Sequence, residues 1–178
     1  MRVFIRPFLY RFDDYIDLRV KKWPQRVKPF MNHVTLLGEP VLIVFVIAAS
    51  IVAFMQGRSR VGLALAAAVV ACILNLGLKQ FLHRPRPDTL YVSLMRFKSY
   101  SFPSGHSFGA AVTYGLLGYF AYKYLDSPIG LLSVLAVTVL IFLIGVSRIY
   151  LGAHYASDVL AGWTLGALSL ILIISFIF

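Results

Sequence analysis

Residues 127–158 read "SPIGLLSVLAVTVLIFLIGVSRIYLGAHYASD". The first 21 of them, Ser127 to Ser147, contain no Asp, Glu, Lys or Arg. An arginine, a histidine and an aspartate then follow in quick succession. A helix on the surface of a soluble core shows an apolar stripe rather than an apolar cylinder. An unbroken run of this length instead fits the roughly 17–25 residues that a helix needs to cross the hydrocarbon of a bilayer. The fold therefore turns on whether the rest of the chain repeats the pattern.

It does. Charge-free stretches also cover 40–57, 61–78, 99–122 and 159–178, with 18, 18, 24 and 20 residues. The chain has 178 residues, 60% of them hydrophobic, and a mean hydropathy of +0.81, well above a soluble domain of this size. These runs predict an all-α fold: a polytopic membrane helical bundle with about five transmembrane helices. The two 18-residue runs are short and are expected to draw on apolar flanks such as Val34–Leu37 and Phe81–Leu82. No repeat, low-complexity tract or linker divides the chain, so residues 31–178 are expected to form one membrane-embedded domain. The single cysteine, Cys72, lies inside an apolar run and has no intrachain partner.

Residues 1–30 differ. They carry eight Lys/Arg and three Asp and lack the continuous apolar core of a signal peptide. Ile5, Phe8, Leu9, Phe12, Tyr15 and Ile16 recur at helical spacing, with Arg6, Arg11, Asp13, Asp14 and Asp17 mostly on other faces. This predicts an amphipathic N-terminal arm lying in the membrane interface and ending before Pro24 and Pro29. The net charge of +10 mostly flanks apolar runs, which points to membrane lipids and phosphorylated groups as partners rather than nucleic acid.

The ionisable residues gather at run ends. Five spans would send the ends of the chain to opposite sides and bring three polar clusters to the membrane face that carries the arm. In the first cluster, Lys79 closes the second run, and Arg84 and Arg86 follow in a proline-stiffened segment. Lysine is a compact charge and arginine a planar fork, and both suit phosphate oxygens. In the second, Pro103 and Ser104 read as a helix entry with Ser104 as N-cap. Gly105 leaves the backbone open to a ligand, and a helix start favours an anion beside His106. In the third, His154 and Asp158 are four residues apart, close enough to share a helix face unless Gly152 interrupts it. An acceptor on one imidazole nitrogen fixes the tautomer and frees the other lone pair for a nucleophile's role or for metal. No H-E-x-x-H or cysteine pair accompanies these histidines, so no metal and no cofactor is expected. Asn75, one turn before Lys79, is expected to hydrogen-bond within the bundle, and His33 and His83 to be structural. Gly162 and Gly166 form a G-x-x-x-G, expected to be a packing face.

Together the clusters read Lys79-QFLHRP-Arg86-Pro87, Pro103-Ser104-Gly105-His106 and Ser147-Arg148-IYLGA-His154-YAS-Asp158. This resembles the three-part signature of the type 2 phosphatidic acid phosphatase superfamily, with every signature position filled across residues 79–158. The resemblance implies a membrane lipid phosphatase acting through a phosphohistidine, without metal. It implies His154 as nucleophile, Asp158 as its orienting acid and His106 as proton donor. Lys79, Arg86, Arg148, Ser104 and the Gly105 N–H would hold the phosphoryl oxygens. A phosphorylated lipid is the implied substrate: phosphatidate, phosphatidylglycerol phosphate or a polyprenyl diphosphate. Vanadate-dependent haloperoxidases share the signature, because vanadate mimics the phosphoryl transition state, but they are soluble and five spans oppose that reading. A non-catalytic lipid-binding or transport protein is the other alternative, opposed by the presence of both histidines. The implied location is the cell membrane, multi-pass. Fourteen Lys/Arg fall on the side of the clusters against three opposite, which by the positive-inside rule indicates the cytoplasm. Many proteins of the resembled family act on the outer face. The segment 88–102, with Tyr91, Arg96, Phe97, Lys98 and Tyr100, is expected to select the headgroup.

Overall fold

The computed structural model describes residues 2–38, 41–95 and 99–178, with the backbone alone for residues 2–8 and 41. Arg96, Phe97 and Lys98, and the side chains of Ile5, Arg6 and Phe8, lie outside the described residues. Each apolar run becomes a helix. The order is α1 (Arg2–Val20), α2 (Lys28–Leu36), α3 (Val41–Met55), α4 (Ser59–Leu82), α5 (Leu90–Ser93), α6 (Gly105–Tyr124), α7 (Ser127–Tyr150) and α8 (Ala156–Ile177), with no strand among the described residues.

The helices are not equivalent. Three of them, α4, α7 and α8, are both long and apolar enough to cross a membrane. Their outward residues, among them Leu74, Leu135, Phe142 and Leu172, are exposed, as lipid-facing positions should be. The chain is a multi-pass membrane protein. Helix α3, with 15 residues, is only about 22 Å long at 1.5 Å per residue. Helix α6 has the length, about 30 Å for its 20 residues, but is less apolar than its neighbours. Its position explains this. It packs against α4, α7 and α8, and buries Phe108, Ala110, Ala111, Val112 and Leu116. A central helix meets protein rather than lipid, so it can carry Gly, Ser, Thr and Tyr. The even set of about five spans therefore becomes three lipid-facing helices around a central α6, with the short α3 laid along α4. Nearly all of the packing of α3 is onto α4, fastened where the Ser50 hydroxyl donates to the Gly62 carbonyl at 2.8 Å.

Helices α6 and α8 approach closely. A Cβ on Gly162 would stand 2.7 Å from the Ser104 carbonyl oxygen, and one on Gly166 would stand 2.8 Å from that of Phe108. Both glycines are thus needed for two backbones to touch, as the G-x-x-x-G predicts. At the end of that contact the Ser104 N–H donates to the Asp158 carbonyl at 2.9 Å. The starts of α6 and α8 are locked side by side.

The arm folds as a helix and packs on α8 and α7. Leu18 and Tyr15 remain exposed, consistent with an apolar face at the interface. The expectation for Asp13, however, is overturned. It was placed with the polar face, yet it is 2% exposed and points into the bundle. Substituting Gly162 with Ala should cost about 1–3 kcal/mol by overpacking against backbone. At Gly77, where a Cβ meets nothing within 4 Å, Ala should be neutral or slightly stabilising. Thermal unfolding of the two variants in detergent compares them directly.

Candidate active site at the helix ends

Lys79, Arg86, Gly105, His106, Arg148 and His154 line one cavity of about 590 Å³. Each reaches it from a different piece of local structure. Lys79 sits in the last turn of α4, 3% exposed, and donates from Nζ to the Tyr100 carbonyl at 3.2 Å. Helix α4 then ends at His83, which takes a left-handed φ of 53°. The following segment runs back over the site. There Arg86 is braced by Nε to the Ser99 carbonyl (2.7 Å), Nη2 to Ser99 Oγ (3.0 Å) and Nη1 to the Ala153 carbonyl (3.0 Å). Arg148 closes α7, fully buried, with Nη1 donating to Thr35 Oγ1 (2.5 Å) and Tyr91 Oη (3.2 Å). Long side chains held from several directions are already ordered before a ligand arrives, so binding an anion sacrifices little rotamer entropy.

His154 is not on a helix. Gly152, with φ of 69°, breaks the chain after α7, and the turn is tied by the N–H groups of Ala153 and His154 to the Arg148 carbonyl at 2.9 and 3.2 Å. Helix α8 begins at Ala156, and Asp158 in its first turn accepts from the Tyr155 N–H at 2.9 Å. The expected shared helix face is therefore replaced by a turn and a helix start. His154 Nδ1 and Asp158 Oδ2 end 3.5 Å apart, too long for a good hydrogen bond. Ser101 fills the relation: its hydroxyl donates to Asp158 Oδ2 at 2.5 Å and lies 3.4 Å from His154 Nδ1. With its own proton committed to the carboxylate, Ser101 Oγ is left as an acceptor, so the network assigns the imidazole proton to Nδ1. The Nε2 lone pair then faces Arg86 Nη1 at 3.3 Å and the cavity.

Burial pushes the His154 ring well below the ordinary imidazole value, and the charges of Arg86, Lys79 and Arg148 push it the same way. The ring is neutral near pH 7. Burial, then Arg148, also lowers Arg86, but a guanidinium stays protonated in any case. The cavity thus presents three cations and the neutral His154 ring, and among the described residues no carboxylate lines it.

Two expected residues stand elsewhere. Ser104 is fully buried and is not in the cavity lining; its Oγ accepts from the Ser107 N–H (3.4 Å) and hydroxyl (3.0 Å) as the N-cap of α6. Asp158, also fully buried, stands behind His154. Arg84, read with Arg86 as a phosphate ligand, turns away from the cavity to Asp158 and Asp13, both at 2.6 Å. His33 and His83 lie outside the site: His33 bonds the Pro29 carbonyl and His83 stacks edge-on against Tyr100. Of the segment expected to select the headgroup, Tyr91 lines the cavity and Tyr100 anchors Lys79.

Two site residues are not legible in the sequence. Ser101 is hidden in a polar loop, and Asn75 reads as a hydrogen bonder within the bundle. Asn75 instead lines the cavity, 5% exposed, with Oδ1 lacking a partner among the described residues. Among the described residues no three His, Cys, Asp or Glu side chains are grouped as a metal site requires.

The PAP2 superfamily model matches residues 60–178. Phosphatidylglycerophosphatase B of Bacillus subtilis is 41% identical over 106 residues, covering 58% of this chain; the match spans about half, 51%, of that relative's length. The crystal structure of a transmembrane PAP2 type phosphatidylglycerolphosphate phosphatase from Bacillus subtilis superposes with a TM-score of 0.77 at 33% identity, covering 92% of this chain and 83% of that one. The crystal structure of Aquifex aeolicus LpxE superposes at 0.69 with 25% identity, covering 91% and 93%.

The tautomer is open to measurement. With ¹⁵N-labelled histidine, His154 should titrate below about pH 6.5 and hold its proton on Nδ1 in the neutral form. Ser101→Ala should raise the Nε2–H fraction.

Proposed function

The chain belongs to the PAP2 superfamily, and from that premise we propose that it is a membrane lipid phosphatase working through a phosphohistidine on His154. One observation carries this reading: His154 Nε2 faces a cavity whose charged lining groups, among the described residues, are three cations, and whose other wall is apolar. That wall is built by Leu42 and Ile43 of α3, Cys72 and Leu76 of α4, and Phe108 and Ala110 of α6. A free phosphate would need the cations alone. A phosphorylated lipid uses both halves, with its phosphate at the helix ends and its chains along the helices.

The chemistry needs little beyond placement and charge. Lys79, Arg86 and Arg148 take the non-bridging phosphoryl oxygens, and the Gly105 N–H at the start of α6 adds a donor aligned with the helix dipole. Arg86 Nη1 exchanges its long contact with His154 Nε2 for a phosphate oxygen, which frees the lone pair. Nε2 attacks phosphorus, the bond to the lipid oxygen breaks, and His106 gives that oxygen a proton. Water then attacks the phosphohistidine, His106 recovers its proton, the N–P bond breaks and inorganic phosphate leaves. Asp158, through Ser101, holds the ring and offsets the positive charge that develops on it. A Cβ on Gly105 would stand 3.5 Å from Lys79 Cε, so the glycine leaves the space beside Lys79 open.

The relatives and the cavity support a choice of lipid. The Bacillus subtilis proteins named above act on phosphatidylglycerol phosphate, so that lipid leads the proposal, with phosphatidate and polyprenyl diphosphates as the other headgroups. Asn75, whose Oδ1 has no partner among the described residues, would accept from a headgroup hydroxyl. Because Asp13 reaches the site from α1, the arm and the phosphate site share one end of the bundle.

His154→Ala should abolish phosphate release from phosphatidylglycerol phosphate in mixed micelles, and Arg86→Ala should lower kcat/KM by about two to three orders of magnitude. Undiminished release by His154→Ala would refute the reading. Activity is expected to persist in EDTA. The acid limb of kcat/KM should lie below about pH 6.5, because the depressed His154 loses its proton there and only the neutral ring attacks.

A further inference from the structure

The signature accounts for Asp158 but not for what holds it. Two charged residues outside the signature roles do so. Arg84 donates from Nη1 to Asp158 Oδ1 at 2.6 Å and from Nη2 to Asp13 Oδ2 at 2.6 Å. Asp13, from the arm, accepts from the Ser157 N–H and hydroxyl, both at 2.8 Å. Ser157 Oγ accepts in turn from Arg84 Nη1 at 2.7 Å. The side chains of Asp13 and Asp158 are 1% and 0% exposed and that of Arg84 14%, so water screens this row poorly. The rings of Tyr155 and Tyr10 cover the guanidinium at 4.4 and 5.8 Å.

Two buried carboxylates so close would repel without the arginine between them. The first turn of α8 also helps, since Asp13 binds one of its N–H groups and Asp158 lies within it, both at the positive end of the helix dipole. The row closes with formal charges of −1, +1 and −1. Arg84 alone would cancel Asp158 and leave His154 surrounded by cations. Asp13 restores one net negative charge beside the imidazole.

We infer that Asp13 and Arg84 are positioning residues, which hold Asp158 in place and set the net charge that His154 meets through it. The inference rests on the phosphatase reading above and makes the arm part of the catalytic apparatus. His154 is faced from every side by charged or titratable groups: Lys79 from α4, Arg86 from the connecting segment, Tyr91 from α5, His106 from α6 and Arg148 from α7. Asp158 faces it from α8, with Arg84 and Asp13 behind. Within this set the row is the sole negative contribution among the described residues, so neutralising either of its outer members must move the titration of His154 in a defined direction. Removing Asp13 takes away negative charge and lowers the pH at which the ring gains a proton. Removing Arg84 takes away positive charge and raises it.

The test measures pH profiles of kcat and kcat/KM for Asp13→Asn, Arg84→Gln and the double variant, on phosphatidylglycerol phosphate in mixed micelles. Asp13→Asn should move the acid limb down by a few tenths of a pH unit, lower kcat about three- to tenfold and change KM less than about twofold. Arg84→Gln should move the limb up by about half a unit to one unit. The double variant, whose row again sums to −1, should return the limb close to its original position. Limb positions do not depend on how much of the enzyme is folded, so loss of protein does not imitate these shifts. Should Arg84→Gln not fold, Asp13→Asn compared with the double variant must still show the upward step. Limbs that stay fixed, or move in the same direction in both single variants, would overturn the inference. His154→Ala in the same assay separates the two readings: if it is active, the phosphatase mechanism fails; if it is dead while the limbs stay fixed, only the role of Asp13 and Arg84 fails.

Discussion

Everything at the site depends on how closely α6 approaches α8. Gly162 and Gly166 remove the side chains that would keep the two helices apart, and the Ser104 N–H to Asp158 carbonyl bond pins their first turns together. In lipid there is no hydrophobic drive to press helices together, so small residues and backbone contact carry the association. That contact sets the Pro-Ser-Gly-His turn beside the His154 turn, and the remaining elements bring their charges to it. A slip of one residue between these two helices would separate His106 from His154 while leaving every helix intact.

The placement also explains how so many ionisable groups are tolerated next to a bilayer. Charged groups in hydrocarbon are costly, but these stand at helix ends and are enclosed by protein. Each of the three cations is held by oxygen acceptors: a carbonyl for Lys79, two carbonyls and a hydroxyl for Arg86, hydroxyls for Arg148. Among the described residues no carboxylate lines the cavity beside them, so the phosphate of the proposed substrate would complement their charge.

Much of this was legible before any coordinates. The run lengths located the helices, Ser104 and Gly152 marked a start and a stop, and the three clusters named the residues that meet. What escaped detection has a physical reason in each case. α6 was indistinguishable from its neighbours because an absence of charge does not separate a helix facing lipid from one facing protein. Arg84 and Arg86 share a motif two residues apart in a segment without regular secondary structure, so no periodicity fixes which way either side chain points. Asp13 lies 144 residues from the Ser157 it binds. On a helical wheel it belongs with Asp14 and Asp17, and nothing local distinguishes the one that is buried. Ser101 carries no spacing signal; it matters because the turn holds His154 slightly too far from Asp158 for direct contact.

Helix α3 supplies part of the apolar wall yet leans almost wholly on α4. A wall supported on one side yields more readily than one wedged between several helices. The rigid end of the cavity, by contrast, is braced by hydrogen bonds from four segments. Under the proposed function, selection among lipids would accordingly be strict for the phosphorylated head and permissive for acyl chain length and unsaturation, so that turnover would persist as a cell remodels the fluidity of its membrane.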